Sequence, residues 1–448
     1  MRRKSLDMLN GPILPKIIIF VVPLLLTNLL QQLYHMADMI VVGRFAGSLA
    51  LAAVGATHSL SNIILNVLVG ISVGVSTVVA QAQGAGDIEC TDRVVHTSMA
   101  ISLIGSILLA AIGIVFCKPI LILMDTPEDI LNQATLYMRI IFAGYPIVSI
   151  YNFGSAILRA KGDTKRPLIF LTISGIVNVI LNCVFVIVFK MDVDGVALAT
   201  VISQVISAAL VILWMLKEEY PFKLKIEKIK IHVPELKRIL GLGLPIASQS
   251  ATFSFANVIV QSAINSFGSF AVAGAGAAMN VCNILYVFMN SPSHAATIFT
   301  GQNFGAKKFD RIPKIITRSA LVVIMLWLMT GTFFIIFAKP LLHLFASDEK
   351  VIEFGYQVVV VLSSTYFICG IMDVLSGALK GINKSLISMI NSITSLFGIR
   401  IMWIFTYFVS HRSLSVLYTS YPLSWIFALC AHIIFFTYYF KKAKKTLG

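Results

Sequence analysis

The sequence predicts an all-α polytopic membrane protein with twelve transmembrane helices, arranged as two six-helix lobes related by a parallel internal repeat. Three observations predict it. Of the 448 residues, 58% are hydrophobic and 12% charged, against roughly 45–50% apolar and about 25% charged in soluble domains. The few charges cluster, leaving uncharged runs close to the roughly 20 residues that one membrane helix needs. Finally, stretches 221 residues apart repeat one another without a gap.

Residues 17–37 follow a basic start, MRRKSLDMLNGPILPK, and form the first span. Basic residues before an apolar stretch also mark signal peptides, but no small-residue cleavage site follows, so the segment is expected to be retained. The 42 uncharged residues 45–86 hold the second helix and 94–117 the third; the fourth ends near Arg159, and 167–189 and 195–216 are the fifth and sixth. KEEYPFKLKIEKIKIHVPELKR (217–238), with seven basic and four acidic residues, reads as a cytoplasmic linker. The 68 uncharged residues 239–306 must hold two helices, separated near Asn265-Ser266-Phe267-Gly268-Ser269. Runs 319–338, 354–372, a segment containing Arg400, and 413–440 complete the twelve. The amino-terminal lobe is then 1–216 and the carboxy-terminal lobe 239–448.

The net charge of +15 would fit a nucleic-acid binder, but its distribution argues against one. With twelve spans and a cytoplasmic amino terminus, 27 of the 35 Lys and Arg fall on the inner side. The other eight are Arg44, Lys118, Arg139, Lys190, Lys339, Lys350, Arg400 and Arg412. This is the positive-inside pattern, and it places both termini in the cytoplasm of a cell-membrane protein. Its partners are the lipid bilayer, attracted weakly where anionic, and small molecules rather than nucleic acid; a monomer is expected.

The repeat rests on polar and glycine pairs, since apolar runs match by chance. GSLALAAVGA (47–56) faces GSFAVAGAGA (268–277) with six identities; Gln81 meets Gln302, Gly84-Ala85 meets Gly305-Ala306, and Arg159 meets Lys380. A constant offset over more than 100 residues indicates duplication. Six spans per copy is an even number, so both copies enter from the same side, the parallel type of repeat.

A charged side chain at the bilayer centre costs roughly 2.5–3.5 kcal/mol on insertion scales, so acids inside spans are functional candidates. Two qualify, Asp38 and Asp373. At 100° per residue, Asn28, Gln31, His35 and Asp38 lie within about an 80° arc of helix 1, flanked by Gln32 and Tyr34. Either this polar stripe faces protein or water, or Asp38 simply ends the helix near Arg44. Asn178 and Asn182 in helix 5, and Thr200 and Gln204 in helix 6, are pairs four apart. Such groups hold a proton-linked network or a sodium ion, or merely join helices. Neither acid has an acidic counterpart at the 221-residue offset, where Asp373 faces Asn152. Arg400 either neutralises Asp373 or snorkels outward, the reading preferred here. Pro23 lies within helix 1 and permits a bend. The six cysteines and the isolated His58, His96 and His294 lack metal-ligand spacing, and no enzyme or nucleotide motif is present, so no enzyme and no cofactor are expected.

Taken together, the strings P-x4-NLLQQLY-x3-D-x3-VGRFAG, ALAAVGA, QAQGAG, ILRAKGDTKRP, GQNFGAKK and GALKG resemble the multidrug and toxic compound extrusion (MATE) family, prokaryotic branch, over nearly the whole chain. The resemblance implies a secondary active efflux transporter that exports cationic or amphipathic organic compounds by antiport with H⁺ or Na⁺. It also implies an amino-lobe ion site of Asp38, Asn178, Asn182 and Thr200, where Asn182 stands in place of the family's second acid, and an acid in helix 10 matched by Asp373. One carboxylate favours H⁺ over Na⁺, because hard cations prefer several carboxylate and other oxygen ligands. Gln31, Tyr34, Asn152 and Asn178 are expected to line the substrate cavity, with helix 1 bending at Pro23. The alternatives are a lipid-linked oligosaccharide flippase of related architecture, or a non-transporting membrane scaffold.

Overall fold

The computed structural model describes residues 6–447, except for the side chains at 253–256 and 258. Arg2, Arg3 and Lys4, which enter the orientation argument, lie outside the described residues. Eleven described helices are long and apolar enough to cross a membrane. They are α1 (Ile13–Ala46), α2 (Ser48–Gly84), α3 (Ile88–Leu123), α4 (Glu128–Lys161), α5 (Lys165–Val188), α6 (Val193–Lys217), α8 (Ser269–Gly305), α9 (Phe309–Ile336), α10 (Glu349–Gly381), α11 (Ser385–Phe408) and α12 (Leu414–Leu447). The helix Val233–Asn265, α7, is the twelfth. No strand occurs among the described residues. Large apolar side chains point outward along α3, as at Ile104, Leu108 and Val115, the surface expected to face lipid.

The chain divides into two compact units. The first contains Leu26–Gln83 and Asp87–Gly243; the second contains Leu6–Leu25, Gly84–Gly86 and the chain from Leu244 onward. In the first, Val42 of α1, Ala53 of α2, Leu121 of α3, Phe142 of α4 and Val196 of α6 share one apolar core. In the second, Leu285 of α8, Leu362 of α10, Leu396 of α11 and Trp425 of α12 do so. Helices α8 and α10 approach closely because small residues line the seam: a Cβ at Gly377 would lie 2.5 Å from the Ser293 carbonyl oxygen. Close backbone approach through small residues is how helices associate where no water drives them together.

The repeat is visible inside each unit. Gly47, between α1 and α2, has φ 96° and ψ 174°. Its counterpart Gly268, between α7 and α8, has φ 90° and ψ 176°. That backbone region is essentially restricted to glycine, which explains why these two positions match. The helical irregularity repeats as well: α5 ends in a π-helical turn, Cys183–Val188, and α11 in another, Ile404–Phe408, beginning 221 residues later.

RAKGDTKRP proves to be a clasp. Gly162, left-handed at φ 100°, ends the α-helical part of α4, and Lys161 and Arg166 both pair with Glu218 just beyond α6, Arg166 at 2.8 Å. The linker is docked rather than loose. Arg93 of α3 pairs with Glu235 at 2.7 Å, Lys228 with Asp92 at 3.2 Å, and the Lys225 amide donates to His96 at 3.0 Å. The linker's own Phe222 and Leu224 are buried.

Candidate functional site

In the first unit, Asp38 is buried, and the amide nitrogen of Asn182 donates to its carboxylate. The same nitrogen donates to the Asn178 side-chain oxygen at 3.3 Å, a pairing that the four-residue spacing on α5 permits. The Thr200 hydroxyl of α6 also stands beside the carboxylate. Its Oγ1 and the Asn182 Oδ1 are buried without a completed hydrogen bond. Tyr137 of α4 packs against the apolar core that holds Val41 and Val42 of α1, a neighbour that no sequence spacing indicated. Both helices supplying the central pair turn π-helical just beyond it, at Val42–Ala46 and Cys183–Val188, and these turns pack against each other. Such turns concentrate at functional sites because they redirect side chains locally.

A hydrogen bond to a charged group contributes about 1.5–3 kcal/mol, against roughly 2.5–3.5 kcal/mol for placing a carboxylate mid-membrane. The two are comparable.

The residues expected to line a cavity have these local partners. The Tyr34 hydroxyl donates to the Leu171 carbonyl at 2.9 Å, and its ring fills the space over Gly175, where a Cβ would lie 1.7 Å from Cζ. Gln31 is exposed. Asn152 is half-buried, and its amide donates to Val148 of its own helix at 2.9 Å. The α1 helix passes through Pro23 without interruption to Val41.

Asp373 belongs to a cluster in the second unit. Asn290 donates to its carboxylate at 2.9 Å and the Tyr286 hydroxyl at 3.5 Å, both from α8. Sequence reading missed them, although they are four apart in the uncharged run 239–306. Arg400 does not snorkel. It is 3% exposed, its Nε donates to Ser424 at 3.2 Å, and its guanidinium lies 3.9 Å above the Tyr421 ring. Facing α12 rather than lipid, it has no route to the headgroups. Nor does it neutralise Asp373: among the described residues no carboxylate pairs with it. A desolvated cation–π contact contributes about 2 kcal/mol, less than the several kcal/mol that burying an ion costs.

No described group of His, Cys, Asp and Glu is suited to hold a metal ion. His96 is held at both ring nitrogens, by the Asp92 carbonyl and the Lys225 amide.

The MatE family model matches residues 23–184 and again 245–406. The chain belongs to the multidrug and toxic compound extrusion (MATE) family. The two matched segments begin 222 residues apart, one residue from the offset that links the repeated glycines. This MATE protein is 28% identical to the probable multidrug resistance protein YoeA of Bacillus subtilis, over 96% of this chain and 94% of that one. It is 26% identical to the probable multidrug resistance protein NorM of Thermotoga maritima, over 84% and 81%. Among solved structures, the outward-facing conformation of a multidrug resistance MATE family transporter superposes with a TM-score of 0.92 over 100% of both chains, at 22% identity. A MOP superfamily transporter from Pyrococcus furiosus does so at 0.90 and 23%, again over 100% of both. These structures establish the fold. The MATE protein is a multi-pass membrane transporter and not an enzyme.

Proposed function

We propose that this protein exports cationic or amphipathic organic compounds by antiport with H⁺, using alternating access between two lobes. The observation that carries the proposal is the buried Asp38 carboxylate with the Asn182 amide nitrogen bound to it. The names of the relatives, which describe multidrug resistance proteins, support the substrate class. The Asn182 amide occupies one of the carboxylate's lone-pair sites and leaves others free to take a proton, while a hard cation such as Na⁺ prefers several carboxylate and other oxygen ligands. A site of Asp38, Asn178, Asn182 and Thr200 with one formal charge therefore suits H⁺ better than Na⁺. Outside, protonation of Asp38 removes the charge that held a cationic substrate; inside, loss of the proton restores it.

Gln31, Tyr34, Asn152 and Asn178 would face the substrate, Asp373 would contribute a second carboxylate, and Pro23 would allow helix 1 to bend. Both termini lie in the cytoplasm and the protein acts as a monomer in this scheme. No cofactor is required. The family match does not favour the flippase alternative.

Efflux of ethidium from protein-containing vesicles under an imposed pH gradient tests the assignment. Asp38→Asn is expected to abolish gradient-driven export while leaving the protein folded in the membrane. Export by that variant at the wild-type rate would overturn the role of Asp38.

A further inference from the structure

The second unit holds a buried cation, Arg400, that no carboxylate among the described residues pairs with; its buried acid, Asp373, is held by Asn290 and Tyr286 instead. Arg400 of α11 is almost fully buried, yet among the described residues only its Nε, of five N–H donors, has a hydrogen-bond partner, the Ser424 hydroxyl. An arginine that merely joined helices would pair with an acid, and among the described residues Arg400 does not. Its planar fork is built to receive two oxygens of one carboxylate or phosphate.

The surroundings specify the rest of such a ligand. Tyr421 lies flat beneath the guanidinium, Trp425 meets Tyr421 at a centroid distance of 6.0 Å, and Tyr366 stacks on Trp425 at 5.2 Å. Tyr286, 38% exposed and with its hydroxyl on the Asp373 carboxylate, continues the row at 6.4 Å from Tyr366. Aromatic rings favour flat apolar partners, and the fixed cation favours an anion.

We propose that the second unit binds aromatic organic anions, with Arg400 pairing to their carboxylate or phosphate and the row from Tyr286 to Tyr421 contacting the ring. This adds a substrate class to the efflux reading and rests on that reading only for transport, since binding requires no gradient.

The test uses the purified full-length protein in detergent and measures the fluorescence anisotropy of fluorescein, an aromatic carboxylate, with ethidium as the cationic control. Saturable fluorescein binding is expected, displaced by salicylate or by phenyl phosphate according to which oxyanion the site prefers. Arg400→Gln should weaken fluorescein binding about tenfold or more and leave ethidium binding unchanged. Arg400→Lys keeps the charge but not the fork, and guards against misfolding of the first variant; it should fall between the two. The proposal is overturned if the wild-type protein does not bind fluorescein, if both variants bind it as the wild type does, or if fluorescein and ethidium binding fall together in both. Failure of ethidium export with fluorescein binding intact would count against the efflux reading alone.

Discussion

Asp38 and Asn182 meet across 144 positions of sequence, and the meeting gives each its meaning. The polar arc on helix 1 and the four-residue spacing of Asn178 and Asn182 were legible, because helical periodicity alone aligns them. Their contact was not, because it depends on how α1 and α5 are turned toward each other. The one-charge site yields a sharp prediction. Asn182→Asp supplies the second carboxylate and should let a sodium gradient drive ethidium export, with the apparent Na⁺ affinity rising about tenfold, the equivalent of ~1.4 kcal/mol. Export in vesicles with imposed Na⁺ and pH gradients, applied separately, measures it; unchanged Na⁺ dependence would contradict the assignment of the site. Arg400 shows where sequence reading failed. An arginine in an apolar helix has two outlets, lipid headgroups or the protein interior, and only the packing of α11 against α12 chose the second.

The elements carry more of the family strings than the ion site does. RAKGDTKRP ties the end of α4 and the start of α5 to Glu218 after α6, so its specificity is architectural. Burial raises the Glu218 pKa, but the hydrogen bonds from Lys161 and Trp214 and the charges of Lys161 and Arg166 outweigh it and hold the group below its ordinary 4.5. A depressed acid stabilises the fold above its unfolded-state pKa and loses that contribution as pH falls through the folded value. The clasp should therefore be fully effective above about pH 4.5 and fade below it. Glu218→Gln is expected to cost ~1–2 kcal/mol at pH 7, less than a fully buried pair because the cluster edge reaches solvent. A lower thermal midpoint in detergent at pH 7, with the gap to wild type closing toward pH 4, would show it. The glycines at 47 and 268 were legible as a matched pair, but the reason for the match, a backbone conformation with φ near +90°, was not.

For the whole molecule, orientation follows from the distribution of Lys and Arg rather than from any contact. Both termini are expected on the cytoplasmic side, with Lys190 and Arg412 on the outer side. Green fluorescent protein fused after Gly448 should fluoresce, and alkaline phosphatase inserted beside Arg412 should be active in intact cells. The opposite pair of results would invert the topology and with it the direction of the proposed antiport.

The sequence by itself determined the membrane class, the helices and the duplication, because hydropathy, charge placement and a constant offset are properties of the chain read in order. It also singled out Asp38 and Asp373, since acids inside apolar runs are costly wherever the helices pack. Tertiary structure alone decided the company those residues keep: Asn182 on Asp38, Asn290 and Tyr286 on Asp373, and Tyr421 rather than a carboxylate against Arg400. The reason is physical. Periodicity fixes which face of a helix a side chain occupies, but the partner is chosen by which helix covers that face, and that choice belongs to packing across distant parts of the chain.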